Sequence, residues 1–243
     1  MLTEAQARTE TARVIEVFSS IQGEGLYVGQ PHLFVRFWDC NLACHYCDTD
    51  YRGPYATMTL AALEGQVSRL LVEQGPHEAV ALTGGEPLLW WQFLTEFLPK
   101  LKAMGQRTYL ETNGTLQKAL AEVIEWVDVI AMDLKPPSAT ADRAVWNEHA
   151  AFLEVALRAM PRVEVFAKVV VTPRTTQEDL DEVAECIGRA DRRIPCVLQP
   201  VTPCGPVTEA PSGETLLRWL KRLRDRLADV RVIPQTHPLL GVR

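Results

Sequence analysis

Three cysteines lie close together in the segment CNLACHYC, as Cys40, Cys44 and Cys47. Their C-x-x-x-C-x-x-C spacing places three thiolates in one compact loop, which suits three corners of a [4Fe–4S] cube and leaves the fourth iron without a protein ligand. Zinc would need a fourth donor, for which His32 and His45 are the nearby histidines. The spacing therefore favours an iron–sulfur cluster with one open coordination position over a zinc site or a purely structural loop.

Charge and hydropathy limit the partners of such a site. The 243 residues carry a formal net charge of −6 and no dense basic run, so we expect no nucleic-acid partner. The start, MLTEAQARTETAR, lacks the pattern of a secretion signal, and no apolar stretch approaches the ~18 residues of a membrane span. We therefore expect a cytoplasmic protein, in which Cys186, Cys196 and Cys204 are ordinary packing residues.

Strand and helix patterns alternate along most of the chain. The apolar runs HLFVRF, AVAL, RTYL, VDVIAM, VEVFAKVVV, CVL and VRVI read as strands, and the segments between them have the spacing of amphipathic helices. This repetition predicts an α/β fold, a partial TIM-like barrel of about six parallel βα units. We expect one domain over residues 1–243, with residues 1–12 as a flexible tail.

Polar loops follow these predicted strands. TGGEP, ETNG, DLK, QPVTP and QTH each come directly after an apolar run. Because barrel enzymes build their sites at the carboxyl ends of the strands, we expect these loops and the cysteine loop to surround one site.

The cysteine loop, with an aromatic residue before its last cysteine and a GGEP loop after it, resembles the radical S-adenosylmethionine (SAM) superfamily. The resemblance implies a [4Fe–4S] cluster held by the three cysteines, with SAM chelated by the unique iron. In that superfamily, an electron from the reduced cluster cleaves SAM to methionine and a 5′-deoxyadenosyl radical.

Four further segments resemble the 7-carboxy-7-deazaguanine synthase family: FSSIQGEG, CDT, ETNGT and QTH. This resemblance covers nearly the whole chain. It implies conversion of 6-carboxy-5,6,7,8-tetrahydropterin into 7-carboxy-7-deazaguanine with loss of ammonia, a step toward queuosine and related deazapurines. It also implies a homodimer and a flavodoxin-type or other electron donor.

The resemblance assigns roles to individual residues. Thr49 is expected to ligate Mg²⁺ together with the substrate carboxylate. Contacts with SAM are expected from Tyr46, Cys47, Asp48, Gly84, Gly85, Glu86, Asp133, Leu134, Lys135, Gln199 and Pro200. Contacts with the pterin are expected from Ile21, Gln22, Gly23, Arg36, Thr83, Glu111, His237 and the carboxylate of Arg243. The DLK segment departs from the S-P-K pattern common in the family, and Asp133 is able to bind ribose hydroxyls instead.

Two other functions share part of this pattern. A radical SAM activase that acts on a protein partner has the same cysteine loop, but such activases often carry extra ferredoxin-like cysteines. A non-catalytic iron–sulfur carrier needs four thiolates per cube and no SAM-binding loop. Scattered remaining cysteines and the presence of GGEP favour an enzyme with a small-molecule substrate.

Overall fold

The computed structural model describes residues 10–140 and 143–242. Its centre is a nine-stranded sheet in the order β3-β1-β2-β4-β5-β6-β7-β8-β9. The strands are β1 (Thr11–Ile21), β2 (Pro31–Phe37), β3 (Ala56–Thr59), β4 (Ala79–Gly84), β5 (Thr108–Thr112), β6 (Val129–Leu134), β7 (Glu164–Val171), β8 (Cys196–Pro200) and β9 (Val230–Val232). From β2 to β9 neighbouring strands are parallel, whereas β1 is antiparallel to both β2 and β3.

Helices connect the successive parallel strands from β2 to β9, and a last short helix follows β9. They are α1 (Leu60–Gln74), α2 (Trp91–Ala103), α3 (Gln117–Val123), α4 (Pro137–Thr140), α5 (Trp146–Arg158), α6 (Gln177–Asp191), α7 (Gly213–Arg224) and α8 (His237–Leu240). Local sequence sets several of the starts, since Thr59 and Ser212 accept hydrogen bonds from the first turns of α1 and α7. Thr176 and Asp179 form a reciprocal capping box at α6.

The two faces of the sheet are covered differently. Side chains on the outer face, such as Val35, Leu82 and Ile130, pack with the helices in the main hydrophobic core. The alternating inner positions form a second, smaller cluster, which is made of Phe18, Phe34, Ala79, Ala81, Tyr109, Val129, Ala131, Phe166 and Val197. Because side chains alternate along a strand, the residues two positions beyond this cluster also point inward.

The predicted α/β partial barrel with about six parallel βα units is confirmed. Two details of the prediction are wrong. Thr11 and Ala12 belong to β1 and not to a tail, and Ala12 is fully buried because β1 pairs there with β3. The short strand β3 was not predicted, since its sequence, ATMT, is brief and largely exposed. Residues 1–9 lie outside the described part of the chain.

Candidate functional site

A cavity of about 600 Å³ lies on the inner face of the sheet, at the carboxyl ends of the parallel strands. The cysteine loop borders it, and so do the segment QGEG (residues 22–25) and residues from β2 to β8. Six neighbouring strands of the sheet, β2 and β4 to β8, each contribute a polar side chain from the inner face, namely Arg36, Thr83, Glu111, Asp133, Lys168 and Gln199. The predicted convergence of these loops and strands on one site is therefore seen in the structure.

The cysteine loop packs against the GGEP loop through backbone atoms. Gly84 has a φ of 130°, and a Cβ at this position would lie 2.2 Å from the carbonyl oxygen of Phe37. A Cβ at Gly85 would lie 1.9 Å from the carbonyl oxygen of Asp39. Both positions therefore require glycine, and the close approach holds the GGEP loop beside the first cysteine of the cluster motif.

The three cysteines fit an iron–sulfur cluster by their chemistry. Cys40, Cys44 and Cys47 are half-buried free thiols that border the cavity. Burial raises the pKa of Cys40 to about 11 and also raises the pKa of Cys47, so binding of iron must displace protons. Within the described residues, no three His, Cys, Asp or Glu side chains are arranged to hold one metal ion. Thiolates at three corners of a cube bind three different irons and need not converge on one point.

Glu86 does not border the cavity. Its carboxylate is fully buried and accepts hydrogen bonds from the N–H of Leu88, the N–H of Asn113 and the hydroxyl of Thr112, at 2.8–3.0 Å. These donors occupy both carboxylate oxygens, so Glu86 braces the GGEP loop against the ETNG loop. Burial raises its pKa to about 7 despite these bonds. The predicted direct contact between this side chain and SAM is at odds with this placement.

The inner ends of β6 and β8 present unpaired acceptors to the cavity. Oδ2 of Asp133 accepts a bond of 2.7 Å from Lys135, whereas Oδ1 of Asp133 is buried without a hydrogen-bond partner among the described residues. The same holds for Oε1 of Gln199, which is buried and has no partner in the described part of the chain. Lys135 also reaches the hydroxyl of Tyr46 in the cysteine loop, at 3.2 Å. Two such acceptors suit a ligand that carries hydroxyl or ammonium groups, as SAM does.

Glu111 is held by two side chains from separate parts of the chain. Its oxygens accept bonds from Nε2 of Gln22 at 2.8 Å and from the hydroxyl of Thr83 at 2.6 Å. Burial and the nearby charge of Glu24 raise the pKa of Glu111, while Thr83 and Gln22 act in the opposite direction. The structure thus brings together three of the residues that the sequence assigned to the pterin.

Arg36 and Thr49 meet at another side of the cavity. Nη1 of Arg36 donates to the hydroxyl of Thr49 at 3.2 Å, and Nε of Arg36 pairs with Glu16 at 2.9 Å. The Thr49 hydroxyl also lies 3.4 Å from Oδ1 of the adjacent Asp48. A guanidinium beside a hydroxyl and a carboxylate is able to orient an anionic group together with a hard cation.

The QGEG segment enters the cavity from the amino ends of the parallel strands, whereas the other loops lie at the carboxyl ends. Since β1 is antiparallel to β2, Ile21 pairs with Pro31, the first residue of β2. The segment after the final strand covers it, because the N–H of Thr236 donates to the carbonyl of Gly23 at 2.9 Å. His237 borders the cavity, and a Cβ on Gly23 would lie 2.5 Å from its Nδ1.

The structure separates the predicted residues into two groups. Apart from Glu86, Leu134, Pro200 and Arg243, every predicted site residue borders the cavity. Leu134 packs in the outer core, Pro200 ends β8 outside the lining, and Arg243 lies outside the described residues.

Several cavity residues were not predicted, among them the polar residues Glu24, Lys168 and Gln235. A signal existed for Lys168, since it is the only charged residue in the apolar run 165–171. The part of the chain that the structure describes contains no helix with the length and apolar character that a bilayer crossing requires.

Comparison with known proteins agrees with this geometry. A sequence model of the radical SAM superfamily matches residues 39–187. The chain is 37% identical to the 7-carboxy-7-deazaguanine synthase of Geobacter sulfurreducens, over 95% of this chain and 97% of that protein. It is 34% identical to the synthase of the same name from Methanothermobacter thermautotrophicus, over 96% and 98% of the two chains.

Solved structures show the same fold. The crystal structure of QueE from Escherichia coli superposes with a TM-score of 0.63 and covers 93% of this chain and 95% of its own. The sequence identity of this pair is 19%, so the likeness supports the architecture alone.

Proposed function

Since this chain belongs to the radical SAM superfamily and, within it, to the 7-carboxy-7-deazaguanine synthase family, we propose that it is a lyase that converts 6-carboxy-5,6,7,8-tetrahydropterin into 7-carboxy-7-deazaguanine with loss of ammonia. The observation that carries this proposal is that the cysteine loop, Gln22, Glu111 and Arg36 line the same cavity. A cleft of this size and polarity suits a small heterocycle that carries a carboxylate beside SAM.

The cluster end of the cavity holds the cofactors. Cys40, Cys44 and Cys47 are the three ligands of a [4Fe–4S] cluster, which supplies the electron for cleavage of bound SAM. The backbone of Gly84 and Gly85 lies beside the cysteine loop, where it can approach the methionine part of SAM closely. Asp133 and Gln199 offer the unpaired oxygens to its hydroxyl or amino groups.

The opposite end holds the pterin. Glu111 accepts from ring N–H and amino groups, with Gln22 and Thr83 fixing its carboxylate. Arg36 pairs with the substrate carboxylate through its guanidinium group. Thr49, which lies beside Arg36, would provide one oxygen ligand to a Mg²⁺ that also binds the substrate carboxylate and keeps water at its other positions.

The proposal includes partners by analogy with the family. A flavodoxin-type or other reductase supplies the electron, and two copies of the chain form a homodimer. Size-exclusion chromatography with light scattering tests the dimer, and replacement of dithionite by a flavodoxin system tests the donor.

The decisive experiment is anaerobic reconstitution of the cluster followed by incubation with SAM, reductant, Mg²⁺ and 6-carboxy-5,6,7,8-tetrahydropterin. Formation of 7-carboxy-7-deazaguanine, identified by absorbance and mass, is the expected result. Cleavage of SAM without this product would retain the superfamily and reject the substrate.

Activation of a protein partner is the less favoured alternative. Relatives that match over nearly the full length carry the synthase name. The polar side chains that line the cavity also bind one another, as Gln22 and Thr83 bind Glu111, which suits recognition of a small molecule.

A further inference from the structure

Four charged side chains of alternating sign form a continuous chain across the cavity: Glu24, Lys168, Asp133 and Lys135. Lys168 contacts a carboxylate oxygen of Glu24 and lies 3.3 Å from Oδ2 of Asp133, the oxygen that Lys135 also binds at 2.7 Å. The four side chains are between 11% and 22% exposed, so solvent screens them little. The chain contains two positive and two negative charges and has no net charge.

This arrangement joins segments that are distant in sequence. Glu24 belongs to the QGEG segment, which enters from the amino ends of the parallel strands. Asp133 belongs to the DLK segment at the end of β6. Lys168 and Asp133 are direct neighbours in the parallel pairing of β6 and β7. At its far end, Lys135 reaches the hydroxyl of Tyr46 in the cysteine loop.

Lys168 is the member of the chain that contacts both carboxylates. Although burial acts to raise the pKa of Glu24, Lys168 and the amides of Gln235 and Gln199 lower it to about 2. Burial acts to lower the pKa of Lys168, but Asp133 and Glu24 outweigh it and keep the amine charged. Without this ammonium, Asp133 would keep Lys135, but the buried carboxylate of Glu24 would lose its cationic partner, which is costly unless Glu24 moves or takes a proton.

We propose that Lys168 is a positioning residue that fixes Glu24 relative to Asp133, and thereby sets the distance between the bound pterin and bound SAM. That the pterin and SAM are the two bound molecules rests on the proposed function. The strand β7 carries Lys168 as a rigid support, since its neighbours Val169 and Val171 are fully buried in the core. A reaction that transfers a hydrogen atom between two bound molecules depends steeply on such a distance.

The test compares Lys168→Met and Lys168→Arg with wild type after cluster reconstitution. The matched control is Lys102→Met, because Lys102 also forms a part-buried ion pair, with Asp128 at 2.6 Å, but does not border the cavity. Iron and sulfide content, the unfolding temperature, and the dissociation constants of SAM with and without 6-carboxy-5,6,7,8-tetrahydropterin are measured without reductant. Turnover then gives the ratio of deazaguanine formed to SAM cleaved.

We expect Lys168→Met to keep the cluster, to weaken SAM binding about tenfold and to remove any effect of the pterin on SAM affinity. Its product yield per SAM cleaved should fall up to about 100-fold. Lys168→Arg should retain much of the SAM affinity and of the product yield, since arginine keeps the positive charge. Equal SAM affinity and equal yield in Lys168→Met and Lys102→Met would overturn the proposal.

A second variant keeps the proposal testable if Lys168→Met fails to fold. Glu24→Gln removes the charge that Lys168 balances on the pterin side, and it should reduce pterin affinity and product yield while SAM affinity in the absence of pterin stays near wild type. Wild-type pterin affinity and yield in Glu24→Gln would also contradict the coupling. If wild type itself binds SAM but forms no deazaguanine, the proposed substrate fails, and the SAM affinities of the two lysine variants still decide the role of Lys168.

Discussion

Gln22 donates a hydrogen bond from Nε2 to Oε1 of Glu111 over 2.8 Å, although 89 positions separate the two residues. The bond joins the QGEG segment to the end of β5, and Thr83 occupies the second oxygen of the same carboxylate. Glu111 is therefore oriented before any ligand binds, which lowers the entropic cost of binding the pterin.

Replacement of Gln22 by Ala should weaken pterin binding and change its pH dependence. The Gln22 bond lowers the pKa of Glu111 against the effect of burial, so its loss should raise that pKa further. If ionised Glu111 binds the pterin, kcat/KM falls as the pH falls through this pKa, and the acid limb should lie at higher pH in Gln22→Ala. The pterin KM should rise about tenfold or more, since a buried acceptor loses its partner at a cost of about 1–3 kcal/mol.

The matched control is Gln106→Ala, because the Gln106 side chain makes a local bond, to the carbonyl of Met104 at 3.2 Å, and does not border the cavity. An acid limb at the same pH in Gln22→Ala and wild type would argue against Glu111 as the pterin acceptor.

Replacement of any one of Cys40, Cys44 and Cys47 by Ala should prevent assembly of the catalytic cluster and abolish turnover. Two thiolates hold only two of the three irons that need a protein ligand. Cys186→Ala is the control, since Cys186 is a buried thiol of α6 that packs in the main core and does not line the cavity. Iron and sulfide analysis with electron paramagnetic resonance measures the outcome, and an active Cys44→Ala protein would reject the ligand assignment.

Thr49→Ala should weaken the dependence of activity on Mg²⁺. The hydroxyl of Thr49 lies beside Arg36 and Asp48, where a cation would meet the substrate carboxylate. We expect the Mg²⁺ concentration at half-maximal activity to rise about tenfold, with cluster content and SAM affinity unchanged. Thr95→Ala, in which the lost hydroxyl bonds to the carbonyl of Gln92 within α2, is the control. Superimposable Mg²⁺ titrations of Thr49→Ala and wild type would remove the proposed metal role.

Gly23→Ala should impair pterin binding through His237. The added Cβ would lie 2.5 Å from Nδ1 and 2.8 Å from Cβ of His237, so rotation of the ring alone cannot relieve the clash. Displacement of His237 by about 1 Å should lower kcat/KM up to about 100-fold. Gly65→Ala introduces a Cβ with no heavy atom within 4 Å and serves as the control. Steady-state kinetics with the pterin would reveal the difference, and equal constants for the two variants would mean that His237 does not contact the substrate.

Glu86→Gln should change the pH dependence of stability. The pKa of Glu86 is about 7 in the folded protein against an ordinary 4.5, because the carboxyl is buried. The stabilising contribution of the protonated form is thus complete below pH 4.5 and is lost as the pH rises through 7, by at most about 3 kcal/mol. Wild type should lose stability relative to Glu86→Gln between pH 5 and pH 8. Anaerobic urea unfolding of the cluster-free protein measures this, with the exposed Glu122→Gln as control. A constant difference across this range would contradict the buried titration.

The sequence by itself determined the features that depend on local spacing. The three thiolates of one loop, the alternation of strand and helix periods, and the polar residues that follow each strand all act within a few positions of one another. Strand alternation then carries Thr83, Glu111 and Asp133 to the same inner face, so the position of these polar side chains in the cavity lining was predictable without coordinates.

The tertiary structure decided the contacts that depend on packing between distant segments. The direction of β1 follows from its antiparallel pairing with β2 and not from any motif. This direction brings QGEG into the barrel from the amino ends of the parallel strands. Glu86 turns away from the cavity because the buried donors of Leu88, Thr112 and Asn113 capture its carboxylate. Lys168 is tolerated in an apolar strand because Asp133 and Glu24, which lie 35 and 144 positions away, neutralise it, and a buried charge has no stable position until its partners are in place.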